Sequence, residues 1–158
     1  MSGHTHNQQP RIEHSHFTLA AVVAAHGGEP VAYRTAHDSL EALSEALDAC
    51  LRDDVLVFSG GSSVGERDLI LDLLAARGEV IFHGIAVKPG KPTAFGRVSE
   101  KLFFGMPGYP TSCLSNAYVL LAPALRRMAR LSPEAVRSIA LPPSPASYTH
   151  LILPPIFQ

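Results

Sequence analysis

The run Val55-Leu56-Val57-Phe58 is apolar at every position and passes directly into Ser59-Gly60-Gly61-Ser62-Ser63-Val64-Gly65. A strand with no polar side fits the inside of a sheet covered on both faces, as parallel sheets are, better than a half-exposed edge. A helical pattern comes next, from about Arg67 to Ala76, with Leu69, Ile70, Leu73 and Leu74 inward, and Gly78 closes it. Glu79 to Val87 then reads as a returning strand. This order of strand, glycine loop, helix and strand predicts an α/β fold: three layers, α/β/α, around a mostly parallel sheet with right-handed crossovers.

The flanking segments suit the same architecture. Leu19, Ala20, Val22, Val23 and Ala24 predict an apolar helix over Phe17 to Ala25 that stops at Gly27-Gly28, and a short strand is expected through Val31 to Tyr33. Asp38 or Ser39 can cap a helix carrying Leu40, Leu43, Leu47 and Cys50. Thr93 to Arg97 and Lys101 to Phe104 predict a hairpin around Val98-Ser99-Glu100, expected at a sheet edge. Beyond the turn Gly105-Met106-Pro107-Gly108-Tyr109-Pro110, a long helix carries Leu114, Ala117, Tyr118, Leu121, Leu125 and Met128 on one stripe, and Pro123 should kink or divide it. Residues 1–10 form a polar tail, and 11–131 make one α/β domain. Residues 132–158 are proline-rich, and Pro145 to Pro154 resembles translated sequencing-adapter sequence; a linker into a further domain has the same composition.

Charge makes any anion site a local matter, because 13 Lys and Arg are offset by 14 Asp and Glu. Nucleic acid is therefore not an expected partner. Cys50 and Cys113 form no CxxC pair and read as core residues in a reducing compartment. No stretch has the length of an apolar membrane span, and the polar start lacks a signal-peptide core, so a cytoplasmic location is expected.

Three local patterns carry chemistry. In Val87-Lys88-Pro89-Gly90-Lys91-Pro92 each lysine directly precedes a proline and is held extended, while Gly90 lets the chain turn between them. Two ammonium groups so fixed suit a phosphate or another tetrahedral oxyanion, although a solvated Lys-Pro turn has the same composition. The loop Ser59, Gly60, Gly61, Ser62, Ser63 and Gly65 offers amide and hydroxyl donors where a helix begins, without the Walker or GxGxxG pattern. Just beyond it stands Asp68, a candidate for holding Mg²⁺ beside a phosphate and equally a first-turn carboxylate of the helix. His4, His6, His14 and His16 form two HxH pairs without cysteines nearby and are assigned no metal. His83, in an apolar strand, reads as a hydrogen-bonded core residue.

Taken together, Ser59 to Asp68, Gly78 to Pro92 and Phe104 to Pro110 resemble the molybdopterin molybdenumtransferase family, which includes the gephyrin E domain, over about Arg11 to Leu131. The resemblance implies the molybdopterin-binding fold and the insertion of molybdate into adenylated molybdopterin, with Mg²⁺-dependent release of AMP. It implies that the serine-glycine loop holds a phosphate, that Asp68 helps place Mg²⁺, and that Lys88 and Lys91, with Pro89 and Gly90 between them, face molybdate or phosphate oxygens. Pro107, Gly108 and Pro110 would shape the pocket wall, and the family's habit implies a homodimer. The sequence departs from the family at His14 and His16, where an Asp and an Asn are usual, and at Tyr109 in place of Asn. The strand and Gly-Asp-Glu-Leu turn that precede Arg11 in the family are not in this sequence, so the sheet is expected to lack its first strand. The alternatives are a non-catalytic module that binds pterin or anion, and the adenylyltransferase that makes the adenylated intermediate.

Overall fold

The computed structural model describes residues 14–33, 36–37, 39–60 and 68–134. The expected tail over 1–10, loop residues Gly61, Ser62, Ser63 and Gly65, and 135–158 lie outside them.

Helix α1 spans His14–Ala25. Helix α2, Leu40–Cys50, starts where the Ser39 side chain accepts from the Ala42 amide and buries Leu43, Leu47 and Cys50. Strand β1 is Val55–Ser59. Helix α3, Leu69–Arg77, is capped by Asp68 and buries Ile70, Leu73 and Leu74. Strands β2 (Glu79–His83), β3 (Ala94–Val98) and β4 (Lys101–Met106) complete the sheet. Helix α4, Pro110–Asn116, continues through a π-helical turn, Ala117–Leu121, into helix α5, Ala122–Met128.

The sheet runs in the order β1-β4-β3-β2. Pairing of β1 with β4 is parallel, and the β4–β3 and β3–β2 pairings are antiparallel. The expected mostly parallel sheet is thus corrected to a mixed one: β1, β4 and β2 point the same way, but β3 is reversed between two of them. Its position comes from the hairpin, whose two-residue turn places Ser99 and Glu100 at φ 48° and 65°, the left-handed pair that matches strand twist. That hairpin lies in the middle of the sheet, not at the expected edge.

Two cores lie on opposite faces. Leu43, Leu47, Leu56, Ile70, Leu73, Leu74, Ala94, Val98 and Phe103 pack under α2 and α3. Leu19, Val22, Phe104, Met106, Cys113, Ala117, Leu121 and Leu125 pack under α1, α4 and α5. The three layers are therefore present. On the second face Phe82, Phe95 and Phe104 meet across three strands, with ring centroids 5.4 and 4.8 Å apart. A bulge between Val80 and Phe82 makes this possible, because it turns two residues that would share a face to opposite sides. Between the helices of the first face, Arg77 joins α3 to Ser44 and Asp48 of α2.

Several expectations need correction. No strand forms at Val31 to Tyr33, and β2 ends at His83 rather than Val87. In β1 only Leu56 is fully buried, because this strand has no partner on its outer side among the described residues. A groove of about 730 Å³ lies along that side, between β1 and the run Gly28 to Tyr33, with Leu19, Val23, Leu43, Cys50 and Leu125 in its walls. Tyr33 anchors the far bank by donating to Asp53 at 2.7 Å. Tyr118 and Met128 are 52% and 46% exposed, off the expected stripe. The π turn adds a residue to the helical repeat just before Pro123 and shifts the phase of α5 relative to α4.

A Cβ on Gly96 would stand 2.1 Å from the Glu79 carbonyl oxygen and 2.8 Å from Leu74. Gly96→Ala should therefore cost about 1–3 kcal/mol, read as a lower denaturant midpoint with unchanged slope. Cys113 is free and buried, and desolvation pushes its thiol up to about 11. It should resist thiol reagents at pH 8 until the protein unfolds. With a folded value above the unfolded one, its contribution is intact below about pH 9 and lost as pH rises toward 11, which urea midpoints across that window would register.

Candidate functional site

Strand direction decides where the site residues gather. Since β1, β4 and β2 point the same way, their carboxyl ends share one edge of the sheet, and β3 starts from it. Ser59 and Gly60 leave β1 there, beside Met106 at the end of β4. The lysine run bridges the end of β2 to the start of β3 at the same edge, and Pro107 to Pro110 leads from β4 into α4. Helix α1 also begins at this edge, where the Ser15 hydroxyl donates to the Gly108 carbonyl at 3.3 Å.

Gly60, Asp68, Ile70, Pro92, Ala94, Gly105 and Met106 line one narrow crevice of about 10 Å³, room for a single water. The crevice brings together Gly60 at the end of β1, Asp68 and Pro92 at the end of the lysine run. It stays open to close approach because Gly108 has no side chain: a Cβ there would stand 3.2 Å from the Gly60 Cα. Pro107 is buried behind it, while Gly108 and Pro110 are exposed. Tyr109 is 77% exposed and does not line the crevice.

Asp68 is engaged on both oxygens. Oδ1 accepts from the Leu71 amide at 3.1 Å as the cap of α3, and Oδ2 lies 3.4 Å from His83 Nε2. His83 is thus not the core residue expected of it. The last position of β2 leaves it exposed, facing Asp68, and sequence reasoning missed the pair because only the fold brings positions 68 and 83 together. The Asp68 side chain nevertheless remains about a quarter accessible. No group of three His, Cys, Asp or Glu able to hold a metal occurs among the described residues.

Lys88, Pro89 and Lys91 are exposed, while Gly90 between the two lysines is buried. The turn is tied down by its backbone: Gly84 N–H donates to Thr93 O at 2.8 Å, Ile85 N–H to Lys91 O at 3.0 Å and Thr93 N–H to Lys91 O at 2.9 Å. The Lys88–Pro89 peptide is cis, and Gly90 adopts φ 117°. Below it, the Thr93 hydroxyl donates to the Gly90 carbonyl at 2.9 Å, and the Asn116 amide donates to the same carbonyl at 2.8 Å. Thr93 and Asn116 carry little sequence signal; the one available was an amide in the otherwise apolar continuation of a helix. The edge therefore presents two outward cations on a rigid loop, one partly open carboxylate and a glycine-lined crevice. Such a set has the chemistry to receive an oxyanion, with or without a bridging cation.

No helix among the described residues is long and apolar enough to cross a membrane. Among curated proteins, the chain is 44% identical over 75 residues to a molybdopterin molybdenumtransferase of Haemophilus influenzae, covering 48% of this chain and 19% of that protein. It is 29% identical over 126 residues to a molybdopterin molybdenumtransferase of Nostoc, covering 77% and 29%. The chain thus spans less than a third of the length of these relatives. Among solved structures, a molybdopterin biosynthesis moea protein of Pyrococcus horikosii superposes with TM-score 0.66 at 39% identity, over 73% of this chain and 28% of that one. A molybdenum cofactor biosynthesis protein B superposes with TM-score 0.64 over 79% and 88%, and its 17% identity speaks for the fold alone. The family model described as "Probable molybdopterin binding domain" matches residues 3–127, and the chain belongs to that family.

Proposed function

We propose that this chain supplies the molybdopterin-binding site of a molybdenum-cofactor biosynthesis protein, and that its carboxyl edge serves the insertion of molybdate into adenylated molybdopterin with release of AMP. The observation that supports this most is the meeting of Gly60, Asp68 and Pro92 around one crevice, since Gly60 and Asp68 come from one sequence run that carries the family resemblance and Pro92 from another. Similarity to proteins named molybdopterin molybdenumtransferase points the same way.

The substrates are anions, and the chain's own groups suit them. Lys88 and Lys91 each bring an ammonium with three donors to the molybdate or phosphate oxygens, and the backbone ties on either side of them limit the ordering cost of binding. The nine-residue helix α3 begins at the same edge, where its positive end favours phosphate held on the serine-glycine loop. Asp68, whose side chain is still partly accessible, fits a mode in which Mg²⁺ takes one protein carboxylate and completes its shell with phosphate oxygens and water. Bound there, the ion would offset phosphate charge as the phosphoanhydride is cleaved. The lysines act in the same sense from the opposite loop. Binding without turnover is the second reading, favoured by the use of Asp68 Oδ1 in capping α3.

Calorimetry with molybdate and with adenylated molybdopterin tests both. Lys88→Ala and Lys91→Ala should each weaken binding by about tenfold or more, with far-UV circular dichroism unchanged. Unchanged affinity in both variants would rule out the lysine cradle. AMP release that needs Mg²⁺ supports turnover, whereas binding with no AMP released supports the second reading.

A further inference from the structure

We infer that Asn116 is a positioning residue for the lysine turn: its buried amide clamps the Gly90 carbonyl and Thr93, and so fixes the directions in which Lys88 and Lys91 leave the loop. The role in ligand binding rests on the anion-cradle reading above; the clamp itself does not.

Asn116 has no accessible surface and ends α4 immediately before the π turn. Its Nδ2 donates to Gly90 O at 2.8 Å and to Thr93 Oγ1 at 2.6 Å, and Thr93 Oγ1 in turn donates to Gly90 O at 2.9 Å. The three groups close a small ring of hydrogen bonds between the helix and the loop. Both acceptors lie on the Nδ2 side, so the amide orientation is determined: reversing it would set Oδ1 against the Gly90 carbonyl oxygen. The fit is also steric. A Cβ on Gly90 would stand 2.7 Å from Nδ2 and 2.8 Å from Oδ1, so the amide lies directly against the bare α-carbon.

The remaining amide oxygen, Oδ1, is buried and accepts from no group among the described residues. What the amide supplies is a fixed loop geometry. Gly90 lies between Lys88 and Lys91, and Thr93 carries the backbone bonds to Gly84 and Lys91 that close the turn. A clamp on these two residues therefore sets both lysines at once.

The experiment compares Asn116→Ala, and Thr93→Val as the gentler variant that keeps side-chain shape, with the parent chain. It uses hydrogen exchange read by mass spectrometry, thermal melting, and titration with inorganic molybdate. Amides over 84–93 should exchange faster in both variants, while those over 40–50 keep their protection. Molybdate affinity should fall about tenfold in Asn116→Ala and less in Thr93→Val. Exchange over 84–93 that is unchanged, or faster only in step with the whole molecule, would overturn the clamp. Selectively faster exchange with undiminished molybdate affinity, in a protein whose Lys88→Ala variant binds molybdate poorly, would overturn the positioning role. If Lys88→Ala and Lys91→Ala both bind as well as the parent, the cradle reading has failed instead, and exchange over 84–93 decides the clamp.

Discussion

Phe103 and Phe104 are adjacent in β4 and both are essentially inaccessible, so the strand drives one large ring into each of the two cores. Alternation along a strand makes neighbours point to opposite faces, and β4, like β1 and β3 on either side of it, feeds the cores on both. Phe103 stacks on Phe58 of β1 at 5.1 Å, while Phe104 meets Phe95 of β3 at 4.8 Å. The two strands flanking β4 are thereby held by opposite faces of the same pair. The parallel β1–β4 register and the antiparallel β3–β4 hairpin both depend on it. Truncating one such ring in a core costs about 3–5 kcal/mol, a large part of a small domain's stability.

The position of the site is a result of that arrangement. With β4 fixed against β1 in parallel, both strands deliver their carboxyl ends to one edge, and the reversal of β3 brings the lysine turn back to it. Gly60, Asp68, Pro92 and Met106 meet there although they are spread over much of the chain. On the opposite flank β1 has no strand on its outer side among the described residues, and an apolar groove lies along it.

Much of this was legible in the sequence, for reasons that differ by element. Helix α2 is announced by apolar spacing and by Ser39, a cap that acts within three residues, and α3 by apolar spacing; that Asp68 caps α3 rather than standing in its first turn is seen only in the structure. The hairpin was visible because its turn is local. Its central place in the sheet was not, since strand order is settled by packing between distant segments. Val31 to Tyr33 has strand-like residues but stands across the groove from the outer edge of β1 without pairing to it, and propensity without a partner did not suffice. Asp68 was found as a carboxylate at a helix start; its partner His83 needed the return of β2. Lys88, Gly90 and Lys91 were conspicuous for their prolines, whereas Asn116, which touches that turn from below, stands 26 positions away and has no signal beyond being polar in an apolar run.

The π turn at Ala117–Leu121 bears on how this segment can change over evolutionary time. A π turn holds one residue more than the α-helical turn it replaces, so the surplus is absorbed locally and Asn116 before it and Leu121 and Leu125 after it all stay buried. Smoothing the segment into a regular helix of the same length would rotate its two halves against each other by about 100°. Either Asn116 would swing away from Gly90, or Leu121 and Leu125 would leave the core. Loss of one residue from the turn would instead restore a regular helix with both faces in place, so descendants of this chain can shed the π turn only by shedding a residue with it.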